Sequence, residues 1–146
     1  MPTRSTMISI ALALVLTAPA AAVSAQQTES GTAGYVFGAR TGVLLFHVRP
    51  EHAAAFEQIM ARVAGGLRGA DADGRAQQAT GWRFFRARPE ADSAVYLAFI
   101  DPVVPGADYD PVRLLIEFAP AEARALFEQL RTAIIRVERL DLDELP

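Results

Sequence analysis

The amino-acid sequence predicts an α+β domain in which a four-stranded antiparallel sheet carries two helices on one face. Three observations lead there. Short apolar runs at 43–48 and 94–100 have the length and the aliphatic and aromatic content of strands. Apolar residues recur at helical spacing after Pro50 and again after Pro111. The segments follow one another as strand, helix, strand, strand, helix, strand.

The elements can be taken in chain order. Residues 1–25 carry the parts of an export signal: a positive charge at Arg4, an apolar core from Met7 to Leu16, and the small-residue end Val23-Ser24-Ala25, which predicts cleavage after Ala25. A spanning helix needs about 20 apolar residues, and Pro19 interrupts this run, so no stable membrane insertion is expected after cleavage. The expected location is periplasmic or secreted. Residues 26–41 are rich in Gly, Ser and Thr and read as a flexible arm, interrupted by the apolar Tyr35-Val36-Phe37, which is expected to pack on the domain edge.

One domain is expected over 42–146. Its first strand is Val43, Leu44, Leu45, Phe46, His47 and Val48, and Pro50 then occupies the first turn of a helix marked by Phe56, Ile59, Met60, Val63 and Leu67. Gly65, Gly66 and Gly69 are expected to end that helix, and 71–80 reads as a polar loop. Strands at 81–88 and 94–100 flank the turn-forming Pro89-Glu90-Ala91-Asp92-Ser93, which makes them an antiparallel hairpin. After a proline-punctuated loop at 101–111, helical spacing runs through Val112, Leu115 and Ile116 and resumes at Ala123, Leu126, Phe127, Leu130 and Ile134. Pro120 should divide it into two pieces. A last strand at 135–142 leads into the acidic end Asp141, Asp143 and Glu144.

This order is the split βαβ of ferredoxin-like domains (β-α-β-β-α-β), in which the first and third strands are central. Those two strands are apolar at almost every position, as if covered on both faces. The other two carry the charges that protect edges: Arg83, Arg86 and Arg88 on one, Arg136, Glu138 and Arg139 on the other. Two helices cover one face only, so the other is expected to meet a second copy of the same sheet.

Composition excludes several classes of function. There is no Cys, hence no disulfide and no lipid attached through cysteine, and an exported domain must then be stable on packing alone. There is no Lys and no Asn, which fits GC-rich codon usage and removes lysine chemistry and N-glycosylation. Arg4 is the only charged residue of the signal, so the net charge of −3 becomes −4 without it, and nucleic acid is not an expected partner. No phosphate-binding glycine motif is present, and neither Ser30 nor Ser93 sits in a nucleophile elbow.

The chemistry-bearing candidates are few. His47 shares a side of its strand with Val43 and Leu45, near the expected subunit seam, where an imidazole can serve as acid, base or haem ligand. His52 reads as solvated. Trp82, Phe84, Arg86 and Arg88 alternate onto one side of the second strand, an aromatic and cationic surface suited to an anionic aromatic ligand, with an ordinary packed edge strand as the competing reading. Asp71-Ala72-Asp73-Gly74 lacks the further ligands of a calcium loop and reads as a turn. Asp101, Asp108 and Asp110 crowd one loop, where Asp110 before Pro111 has the form of a helix cap, and no metal site is expected.

The strand and loop Tyr96-Leu97-Ala98-Phe99-Ile100-Asp101-Pro102-Val103-Val104-Pro105-Gly106-Ala107-Asp108-Tyr109, together with the element order over 42–142, resembles the dimeric α/β-barrel superfamily. That superfamily contains antibiotic-biosynthesis-monooxygenase-like domains and uncharacterised secreted bacterial proteins. The resemblance implies a homodimer. In some members it implies cofactor-independent oxygenation of phenols or haem degradation, commonly with Asn and Trp or His in the cavity, and this chain departs from that pattern in having no Asn. The expected function is therefore an exported, non-enzymatic bacterial homodimer without cofactor, binding a small apolar or anionic ligand between sheets through Trp82, Phe84, Arg86 and His47. The alternative is a cofactor-independent monooxygenase-like or haem-handling enzyme using His47 and Tyr96 with Trp82 and Arg86. A third reading is a structural partner of another envelope protein through the segment from Tyr35 to Phe37.

Overall fold

Alternation along two strands decides which side of the sheet is the inside. The computed structural model describes residues 34–71, 73–87 and 93–146; the expected signal at 1–25, Ser30 with the first part of the arm, Arg88 and the turn at 89–92 lie outside the described residues. In β1 (Thr41–Val48) Leu44, Phe46 and Val48 are fully buried, and in β3 (Ala94–Ile100) Ala94, Tyr96, Ala98 and Ile100 are buried. The antiparallel register sets Leu44 beside Ala98 and Phe46 beside Tyr96, so these residues share one face. With β2 (Trp82–Arg86) and β4 (Ile134–Leu142) the sheet has the order β2-β3-β1-β4, antiparallel throughout. The strands expected to be central are central.

Helices cover that inner face. A single 3-10 turn at Pro50–His52 leads into α1 (Ala53–Gly69), whose Phe56, Ile59, Met60, Val63 and Leu67 are buried at the spacing the sequence shows. Further along the chain come α3 (Pro111–Phe118) and α4 (Ala123–Ala133), separated at Pro120, with Leu114, Leu115, Leu126 and Leu130 in the same core. Asp110 caps α3 by accepting the Val112 N–H at 2.8 Å, with Pro111 at the first helical position. The segment before β1 also belongs to the core. Phe37 is buried edge-on against Tyr109, with ring centroids 5.6 Å apart, and Tyr35 donates its N–H to Asp108 Oδ1 at 2.8 Å.

Three expectations are corrected. The segment 71–80 is mostly α2 (Asp73–Gly81), not a polar loop, so Asp73 starts a helix rather than a turn. Its anchors are polar: buried Gln78 donates to the Asp108 carbonyl at 3.0 Å, and Arg75 grips Glu117 with Nε to Oε1 at 2.9 Å. An apolar stripe is what periodicity detects, and α2 has none. Secondly, Gly65 and Gly66 do not end α1, which continues to Gly69. A Cβ on Gly66 would run into the Phe118 ring, so glycine there permits close packing of α1 on α3 while the helix continues. As a consequence of α2 and of the expected break at Pro120, the described residues form four α-helices rather than two.

The opposite face of the sheet is open. Val43 and Leu45 of β1, Val95, Leu97 and Phe99 of β3, Phe85 of β2 and Leu140 of β4 share it by register. Phe85 is 49% exposed and Leu140 46%, whereas Val43, between Phe99 and Leu140 in register, is only 5% exposed and Leu45, Val95, Leu97 and Phe99 are half-buried.

Candidate functional site

A groove of about 570 Å³ runs between α1 and β2 on the helix side of the sheet. Its α1 wall is Glu57, Ala61, Ala64 and Arg68, spaced so that all four fall on one helix face beside Met60. The facing wall is Trp82, Phe84 and Arg86 on alternate positions of β2, with Tyr96 of β3 beside them. Thus β2 is an edge strand whose inward side chains are reached from the open flank of the sheet. The groove is apolar in its middle and charged at its ends.

An aromatic floor backs it. Phe84 and Tyr96 stack at 5.8 Å with an interplanar angle of 9°, and Phe56 lies 4.9 Å from Tyr96 and 6.0 Å from Phe84. The Tyr96 hydroxyl donates to Glu57 Oε1 at 2.6 Å, and Arg86 Nη1 reaches the same oxygen at 3.1 Å. Burial, then the hydrogen bond to Glu57 and its negative charge, push the Tyr96 phenol up to about 12, with the Arg86 guanidinium working in the opposite direction. Burial also raises Tyr35 and Tyr109.

A pH prediction follows from these directions. A phenol raised in the folded state keeps its proton where the unfolded chain loses it, so its contribution to stability is present below pH 10 and is lost between 10 and about 12. In an ultraviolet titration, native tyrosinate absorbance should lag behind that of the urea-unfolded protein. Glu57→Gln should bring the last phenol to ionise back toward 10, and a native curve that overlays the unfolded one would contradict the buried hydroxyl network.

The predicted site residues divide between two faces. Trp82, Phe84, Arg86 and Tyr96 come together in the groove, whereas His47 lies on the open face with Val43 and Leu45. The residues expected to share one ligand site, His47 with Trp82, Phe84 and Arg86, thus lie on opposite faces of the sheet. His47 Nε2 lies 3.0 Å from Glu138 Oε1 and 3.0 Å from Arg136 Nη2, and Arg136 Nε pairs with Glu138 at 3.0 Å. One ring nitrogen thus faces a carboxylate and a guanidinium from the neighbouring strand, an arrangement that holds the β1–β4 edge together. His52 lines a shallow cleft with Glu128 and Thr132.

The loop acids have structural work. Asp108 Oδ1 accepts the N–H groups of Tyr35 and Asp110, at 2.8 and 2.9 Å, while Arg113 pairs with its other oxygen at 2.9 Å. Asp101 accepts from the Thr41 hydroxyl at 3.3 Å. Among the described residues no three His, Cys, Asp or Glu side chains converge as a metal site would require, and no helix is long and apolar enough to cross a membrane. Sequence reasoning passed over Glu57, Ala61, Ala64 and Arg68. Their spacing of four, three and four residues was a legible signal, but small and charged residues on one helix face ordinarily mark the solvent side. No protein-family model, curated protein or solved structure matches the chain.

Proposed function

We propose that this chain is an exported, non-enzymatic small-molecule-binding protein, and that its ligand is a small anion with an apolar body held in the groove between α1 and β2. The observation that carries the reading is the composition of that groove. Trp82, Phe84, Met60, Ala61 and Ala64 present apolar surface, and the rim sets two arginines, Arg68 and Arg86, against one carboxylate, Glu57. A local excess of positive charge on a protein of net charge −3 favours an anion, and the volume of about 570 Å³ lies within the usual range for ligand sites. The Tyr96 hydroxyl donates to Glu57 Oε1 at 2.6 Å, which fixes that carboxylate at one end of the groove.

The strand order, with helices on one face, supports a ferredoxin-like domain, and the open apolar face supports a dimeric α/β barrel in which two sheets pack face to face. The groove belongs to one protomer. The ligand reading is tested by titrating the purified protein with anilinonaphthalene sulfonate, aromatic acids and haem while following the fluorescence of Trp82, the single tryptophan. Saturable quenching by an anionic aromatic compound is the expected result. Quenching by none of them would overturn the reading.

A further inference from the structure

We infer that the groove is polarised along its length and selects a flat aromatic monocarboxylate with a hydroxyl at its far end, the carboxylate lying at Arg68 and the hydroxyl at Glu57. This rests on the binding reading above. The two arginines are not equivalent. Arg86 is engaged, with Nη1 3.1 Å from Glu57 Oε1 and its guanidinium carbon 5.9 Å from the Tyr96 ring centroid. Arg68 has no hydrogen-bond or ion-pair partner among the described residues, so it is the cation with its full donor set available.

Topology places those arginines at opposite ends. β1 and β2 both run antiparallel to β3, and α1 connects the end of β1 back toward the start of β2, so it runs against β2. Glu57 near the start of α1 therefore meets Arg86 at the end of β2, and Arg68 near the end of α1 lies toward Trp82. Eleven residues separate Glu57 from Arg68, about 16 Å of helix axis that the two long side chains partly span. Between them Ala61 and Ala64 project almost nothing, on the wall opposite Trp82 and Phe84. Small side chains on one wall and aromatic ones on the other leave room for a planar ring beside aromatic surface.

Charge then fixes the direction of the ligand. A carboxylate is repelled by Glu57 and accepted by the forked donors of Arg68. At the other end Glu57 Oε1 already receives Tyr96 and Arg86, and Oε2 receives no donor among the described residues, so a hydroxyl on the ligand has an acceptor waiting.

Calorimetric titration of the purified protein with para-hydroxycinnamate, its methyl ester and unsubstituted cinnamate tests this. The acid should bind at least about tenfold more tightly than the ester. Arg68→Gln should abolish the preference for the acid over the ester, whereas Arg86→Gln should retain it. Cinnamate should bind several-fold more weakly than its hydroxylated form, and Glu57→Gln should shrink that difference. Equal affinity for acid and ester, or loss of the preference in Arg86→Gln but not in Arg68→Gln, would overturn the assignment. Binding of anilinonaphthalene sulfonate without any of the three cinnamates would overturn it while the broader binding reading stands, and binding of nothing would overturn both.

Discussion

Leu97→Arg should convert a dimer into a monomer without unfolding it. Leu97 sits mid-strand on the open face, between Phe85 on β2 and Leu45 on β1 in register. In a face-to-face dimer a guanidinium there is buried without a partner, and symmetry introduces it twice. Leaving one charge buried and unpaired costs about 3–5 kcal/mol, so dimer affinity should fall by at least about a hundredfold. In an isolated protomer the same side chain reaches water, and its circular dichroism should be that of the parent. Light scattering at micromolar concentration is the measurement: the parent should show twice the chain mass and the variant one. A parent that is already monomeric would remove the sheet-to-sheet dimer from consideration.

The largest loss of stability is expected at Phe56. It is fully buried and its ring packs against Phe46 at 5.4 Å, Tyr96 at 4.9 Å and Phe84 at 6.0 Å, joining α1 to three strands. Truncation to alanine removes a large transfer term and leaves a cavity that neighbouring backbone cannot close, a cost of about 3–5 kcal/mol. Against a total of roughly 5–15 kcal/mol for a small domain, that is a large fraction. The urea midpoint should drop accordingly, and ligand affinity should fall as well, because Phe84 and Tyr96 lose their backing. Phe85→Ala is the contrasting control: that ring is 49% exposed on the open face, and its loss should move the midpoint of a protomer little. Similar losses for the two variants would contradict the assignment of inside and outside.

Much of this division is legible in the sequence. Val43, Leu44, Leu45 and Phe46 form an apolar run because β1 is central, and the charges at Arg83, Arg86, Arg136 and Glu138 mark the two edges. The Asp110 cap was visible too, since Asp before Pro ahead of helically spaced apolar residues supplies both an N-cap acceptor and a first-turn proline. Helix α2 was not. It is held by Gln78 and Arg75 reaching partners 30 and 42 residues away, and no local pattern encodes them.

The candidate site shows the same boundary. Alternation in β2 correctly put Trp82, Phe84 and Arg86 on one side, because a strand has period two whatever surrounds it. Which side that was, and whether His47 shared it, depended on pairing register and on where α1 packed. A strand's two faces are equivalent until something covers one. By itself the sequence determined the order of the strands and of α1, α3 and α4, the apolar centre, the charged edges and the absence of thiol and lysine chemistry. The tertiary structure alone decided that Glu57 and Arg68 face the aromatic stripe and that His47 faces away. Those relations join residues distant along the chain, and only packing brings them to one place.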